Sequence, residues 1–240
     1  MTQPLKAIDT PNGRVYELSP NFYYPSITNV LAVMEKGHLS KWGAKIASNI
    51  VALDFDKLAA MKPADRATYI KASAEHEMSA AAKLGDAVHA AVEARINGEI
   101  IEVDKQVKPF MNQFENFIDH HKPEFTWTET TLVNHDYKYA GTGDFGCVID
   151  GKLWTVDAKT GSRLNSDGTL QLNALANCAE TIDGVKVSRP EKLGLLHLRP
   201  RKWELREVED SMDSFDVFTS CLRLWNYRVA QGDVWKDSWS

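Results

Sequence analysis

The sequence predicts an α/β fold, and three observations carry that prediction. Up to about residue 122 the apolar side chains recur at helical spacing, and from residue 125 they alternate with period two. Between two of the alternating runs stands Asp150-Gly151, a dipeptide suited to the positive φ angles of a two-residue hairpin turn. The chain has 240 residues and 43% hydrophobic content, enough for one domain with a sizeable core. A single domain over 1–240 is expected: a mainly helical portion (1–122), a sheet-and-helix portion (123–210), then a C-terminal helix and tail (211–240).

The elements follow in order. Residues 1–25 read as an irregular or short hairpin lead-in around Asn12-Gly13. Ser26 is the expected N-cap of a short helix through Met34, and Ser40 of a second through Ala52. That second helix carries Lys41 and Lys45 beside Trp42; a buried tryptophan on a solvated face is a plainer reading than a nucleic-acid contact. Residues 64–97 read as helix stopped by Gly98. Residues 107–121 read as an amphipathic helix burying Phe110, Met111, Phe114, Phe117 and Ile118. Strands are expected at 125–133, 139–149, 152–159, 193–198 and 203–208, and a helix at 167–182. A last helix carries Phe215, Phe218, Leu222, Trp225 and Val229 on one stripe; Trp235 and Trp239 lie in an unassigned tail.

Composition narrows the function classes. A net charge of −5 gives no global positive field to draw in nucleic acid, so any such contact must come from local patches. Three widely spaced cysteines suit a reduced compartment and lack zinc-ligand spacing. No apolar run approaches the ~18 residues that span a bilayer, and the N-terminus has no basic segment followed by an apolar one, so a cytoplasmic protein without a membrane partner is expected.

With a two-residue turn at Asp150-Gly151, residue numbers of paired positions are fixed from Ile149 with Lys152 through Phe145 with Val156, and Asp144 then meets Asp157. Lys159 follows on the same face. Opposed like charges destabilise a strand pair unless something offsets them. A divalent cation does so, and two carboxylates with a lysine match what phosphodiester hydrolysis requires. The plainer alternative is a frayed, hydrated hairpin end. Further groups stand nearby in the sequence. His89 shares a helix row with Gly85 and Glu93, beside the apolar stripe Leu84, Val88, Val92 and Ile96. Glu129 shares a strand face with Trp127 and Thr131, as a third acidic group or a surface glutamate. Gln171 opens the helix after Lys159. Thr160, Ser162 and Arg163 form a polar turn, and Arg163, Arg199, Arg201 and Lys202 are candidate phosphate contacts.

These residues together resemble the RecB-like branch of the PD-(D/E)XK nuclease superfamily, in particular phage-encoded exonucleases related to the CRISPR-associated exonucleases. The resemblance rests on Gly85 to His89 (Gly-x-x-x-His), Gly141 to Asp144 (Gly-x-x-Asp), Asp157-Ala158-Lys159-Thr160 (Asp-x-Lys-Thr) and a helix from Gln171. It covers residues 24 to 176, beginning with Tyr24-Pro25-Ser26-Ile27-Thr28-Asn29-Val30-Leu31. Leu175 stands where the family has tyrosine. The resemblance implies a restriction-endonuclease-like α/β fold: a central mixed sheet flanked by helices, with a helical N-terminal portion. It implies Mg²⁺ or Mn²⁺ held by His89, Asp144, Asp157 and the backbone carbonyl of Ala158, with Lys159 catalytic and Gln171 in support. Three cysteines are too few for the iron–sulfur cluster of some relatives, so none is expected. The implied function is a metal-dependent DNA exonuclease of phage recombination, end processing or replication, working with a recombination or annealing protein in the host cytoplasm. The alternatives are a non-catalytic nucleic-acid-binding module on the same fold, a structure-specific endonuclease, or a hydrolase of another phosphate ester.

Overall fold

The computed structural model describes residues 6–10, 13–19, 22–34 and 37–232. It divides into two compact units, residues 35–87 and the remainder, 1–34 with 88–240. The larger unit opens with a three-stranded antiparallel sheet, β1 (Lys6–Thr10), β2 (Gly13–Ser19) and β3 (Phe22–Pro25). Thr10 pairs with Gly13, so the expected lead-in hairpin forms, although Asn12 lies outside the described residues. Ser26 caps α1 (Ile27–Leu31): its Oγ accepts the Asn29 amide at 3.1 Å. The helix stops short of Met34.

The unit at 35–87 holds α2 (Gly37–Leu53), α3 (Phe55–Ala60) and the first part of α4 (Pro63–Ile96). Ser40 lies inside α2 rather than at its start, which corrects the expected cap. Trp42 is 38% exposed, so the buried tryptophan anticipated there is a surface residue. Tyr69 ties α4 to α3's start: its hydroxyl donates to Asp54 at 2.7 Å and accepts from Lys57 at 2.9 Å.

In the larger unit α4 continues with Val88, Ala91 and Val92 buried, and α5 (Lys108–His121) buries Phe110, Met111, Phe114 and Phe117. The strands are β4 (Glu124–Asn134), β5 (Tyr139–Ile149), β6 (Lys152–Lys159), β7 (Glu180–Thr181), β8 (Lys192–Arg199) and β9 (Lys202–Val208). Helix α6 (Ser166–Ala176) precedes β7, and α7 (Met212–Gln231) follows β9. The sheet runs β7-β4-β5-β6-β8-β9, antiparallel throughout except for the β6–β8 pair. This is the mixed sheet flanked by helices that the sequence predicts. Helix α6 ends at Ala176, six residues before the boundary expected from its spacing. The backbone is taken up instead by β4, through Ala179 N–H to Val133 O (3.2 Å) and Ile182 N–H to Thr131 O (2.8 Å).

Packing on the sheet explains which side chains are large. Phe114 and Phe117 of α5 set their rings about 6 Å from Phe145 of β5 in edge and tilted contacts. Helices α1, α6 and α7 gather Ile27, Leu170, Ala174, Leu175, Phe215, Phe218 and Leu222 around Tyr139. Gly141 is required here: a Cβ at that position would lie 2.4 Å from Ile27 Cδ1, so α1 seats directly on the β5 backbone. Among the described residues, no helix is long and apolar enough to cross a membrane.

Candidate active site

Asp150 and Gly151 both have positive φ, 50° and 74°, as the two-residue type I′ turn demands. The observed register runs from Ile149↔Lys152 to Phe145↔Val156, the pairing derived from the sequence. The ladder stops there, one step before Asp144 and Asp157. A second interruption aligns with the first. On β4, Thr128 pairs with Phe145 and Thr130 with Gly143, and the position between them, Glu129 opposite Asp144, is not bridged. Glu129 itself sits in the left-handed region at φ 41°. Glu129, Asp144 and Asp157 therefore fall in one row across β4, β5 and β6, where neither strand pair is bridged and Glu129 carries backbone strain of ~1–3 kcal/mol.

Helix α4 supplies the fourth member. His89 Nδ1 lies 3.3 Å from Asp144 Oδ2. Ligand atoms of His89, Glu129 and Asp144 all fall within 4.8 Å of one another, so this trio could hold a metal ion. Asp144 is also gripped from β6: the Ala158 amide donates to its Oδ2 at 2.6 Å. On β4 the Thr128 hydroxyl donates to the Asp144 carbonyl at 3.0 Å. The carboxylate is thus held from β6 and α4, and the main chain of the same residue from β4.

Asp157 is 1% exposed, which removes the hydrated-hairpin alternative for this residue. Lys159 Nζ lies 2.7 Å from its Oδ2, yet neither oxygen of Asp157 accepts an aligned hydrogen bond. The ammonium is 3.3 Å from Gln171 Oε1 on α6, so Gln171 and Asp157 fix it between them.

Electrostatics reflects this crowding. Burial pushes the Glu129 carboxyl up to about 7, with the charge of Asp144 adding to the shift. Burial likewise raises Asp157, and Lys159 opposes the rise without cancelling it. For His89, burial works to lower the pKa, but the hydrogen bond and charge of Asp144 outweigh it and the net shift is upward. Burial also works against the Lys159 ammonium; the charges of Asp157 and Asp144 prevail, and Lys159 is raised above the ordinary lysine value. A cation bound here would favour the charged carboxylates and the neutral imidazole.

Other expected residues fall into place unevenly. Glu93, one turn after His89, adds negative potential at Glu129 and is half-buried. Leu175 is 2% exposed within the core around Tyr139 and is a packing position. Thr160, Ser162 and Arg163 lie in the turn leaving β6, with Ser162 and Arg163 exposed. Arg199 pairs with Lys202 at the ends of β8 and β9, two residues beyond His197, the parallel partner of Lys159. Alternation therefore puts Arg199 and Lys202 on the Lys159 face of the sheet, while Arg201 is in the turn. Sequence reasoning passed over Thr128 and His197, which only strand pairing across the sheet brings to the site. Beside Gln171 opens a cavity of about 240 Å³ lined by Arg14, Tyr16, Ser26, Thr28 and Thr142.

No family model matches this sequence, and no curated protein matches it either. Two solved structures are similar in chain course. One is an alkaline exonuclease (LHK-Exo) from Laribacter hongkongensis, 9% identical, with a TM-score of 0.40, the match covering 80% of this chain and 93% of that one. The other, the crystal structure of SSO0001, is 16% identical with a TM-score of 0.34 over 49% of this chain, which spans 56% of that structure's length.

Proposed function

We propose that this protein is a metal-dependent DNA nuclease that hydrolyses phosphodiester bonds, acting as an exonuclease on DNA ends. The observation that carries this reading is the row Glu129–Asp144–Asp157 with His89 at one side and the Lys159 ammonium at the other. The residues fit a hard divalent cation such as Mg²⁺ or Mn²⁺: carboxylate oxygens with one imidazole are the donor set such ions take. The buried Oδ1 of Asp157, without a hydrogen-bond partner, is the kind of orphaned acceptor a cation satisfies. His89, Asp144, Asp157, Glu129 and the Ala158 carbonyl would hold it. In a strand the N–H and C=O of one residue point to the same side, and the Ala158 N–H already points at Asp144.

When bound, the cation supplies positive charge for a phosphate oxygen and lowers the pKa of a water. The protein supplies the rest. Lys159, kept protonated by Asp157 and Asp144, is a fixed positive charge that stabilises negative charge developing on the phosphate. Asp157 and Gln171 hold that ammonium in place, so little reorganisation is needed at the moment of reaction. His89 orients Asp144 from α4, and the Ala158 amide orients it from β6. Arg199 and Lys202, on the same sheet face, and Arg163, in the adjoining turn, offer cations for phosphates farther along the strand, which compensates for the acidic net charge. The resemblance to phage-encoded exonucleases supports a role in recombination, end processing or replication, alongside a recombination or annealing protein.

The test is digestion of end-labelled linear duplex DNA with Mg²⁺ or Mn²⁺. Wild-type protein should release label only with metal, and Asp144→Asn, Asp157→Asn and Lys159→Ala should each abolish release. Near-normal cleavage by any of the three contradicts the assignment. Cutting of covalently closed circles as fast as linear DNA would replace the exonuclease reading with an endonuclease.

A further inference from the structure

We propose that His197 is a positioning residue that sets the Lys159 ammonium against its substrate, a role that rests on the nuclease reading above. His197 is a polar side chain only 4% exposed, near the C-terminal end of β8. It is the register partner of Lys159 in the parallel β6–β8 ladder. Its Nε2 lies 2.6 Å from the carbonyl oxygen of Gly161. A carbonyl only accepts, so Nε2 carries the proton and donates.

Gly161 stands two residues after Lys159, in the turn where β6 ends. The imidazole therefore clamps the backbone immediately beyond the lysine to a neighbouring strand, across 36 residues of sequence. Asp157 and Gln171 hold the tip of the Lys159 side chain, and His197 holds the main chain from which that side chain leaves. A side chain anchored only at its tip follows its backbone when the turn shifts. Displacement of a reacting group by about 1 Å costs on the order of 10²-fold in rate.

Three variants separate positioning from mere packing. His197→Leu keeps buried bulk and removes the donor. His197→Gln keeps an N–H at nearly the reach of Nε2. His197→Asn keeps an amide too short to reach Gly161, and it carries the Leu expectation should the Leu protein not fold. Cleavage of linear duplex DNA with Mn²⁺ should show kcat about 10²-fold lower for Leu with KM unchanged, and recovery to within several-fold of wild type for Gln. Amide exchange of the metal-free, DNA-free protein should accelerate across residues 160–163 in Leu, return toward wild type in Gln, and stay unchanged in α5. Wild-type kcat in Leu, or Gln no better than Leu, overturns the proposal, as does unchanged exchange at 160–163. If the wild-type protein cleaves no DNA, the nuclease reading fails, and the exchange data still decide whether His197 clamps the turn.

Discussion

The Lys159 ammonium lies 2.7 Å from Oδ2 of Asp157, a carboxylate with 1% of its surface exposed. A buried carboxylate is costly unless a partner offsets it, and the partly exposed Lys159 is that partner. The lysine makes the buried carboxylate tolerable, and the carboxylate keeps the lysine charged.

From that relationship follows an asymmetry between two substitutions. Lys159→Met leaves Asp157 buried without its cation and should destabilise the metal-free fold by about 3–5 kcal/mol, the usual cost of orphaning a buried charge. Asp157→Asn removes the charge that burial disfavours and leaves a partly exposed ammonium, so it should cost less than half as much. Both should lower cleavage by at least about 10²-fold. Urea unfolding without metal, beside the cleavage assay, checks the pair; equal destabilisation would show that Asp157 does not depend on Lys159.

Glu129 makes the metal-free protein sensitive to pH. Its carboxyl is raised from 4.5 to about 7, so between those values the folded state binds more protons than the unfolded chain. The stability this proton contributes is fully present below about pH 4.5 and is lost as pH rises through about 7. Melting temperatures measured in EDTA should fall across that window, and the fall should be smaller in Glu129→Gln. Mn²⁺ should restore the wild-type value at pH 8.

The left-handed backbone at Glu129 gives a separate test. Glu129→Gly relieves a strained φ and removes a carboxylate from the cluster, so it should raise the melting temperature while weakening Mn²⁺ binding in calorimetry. Weaker binding together with lower stability would mean that the glutamate side chain supports the fold instead.

Gly141 tests how α1 is seated. Gly141→Ala forces a methyl to within 2.4 Å of Ile27 Cδ1 and should cost about 1–3 kcal/mol by overpacking. Adding Ile27→Val, which removes that same Cδ1, should recover part of the loss, read as a non-additive double-mutant cycle.

How much of this was legible beforehand depends on the range of the interaction. The hairpin from 139 to 159 could be read residue by residue, because Asp150-Gly151 fixes the turn and the turn fixes the register. Helix α5 was equally plain from its aromatic spacing. Cys178 and Ile182 continue the apolar spacing of α6 past its end, while hydrogen bonds from Ala179 to Val133 and from Ile182 to Thr131 of β4, distant in sequence, convert that stretch to β7. Ser40 looked like a cap because its residue type suits one, and nothing local shows that α2 has already begun. At the site, Asp144, Asp157 and Lys159 announced themselves through one turn. Glu129 stood out only as one acidic residue of a strand; its alignment with the other two depends on the β4–β5 register and on a strained φ. His197 had no local signature, since a parallel pair brings it to Lys159 only after α6 and β7 have intervened.

Whether these carboxylates gather a cation for phosphodiester hydrolysis is decided by one digestion. End-labelled linear duplex DNA is incubated with wild-type protein and with Asp144→Asn, each in Mn²⁺ and in EDTA. Label release is expected from the wild-type protein in Mn²⁺ alone, and none from the variant under either condition. Release in EDTA, or undiminished release by Asp144→Asn, would contradict that role for the carboxylates.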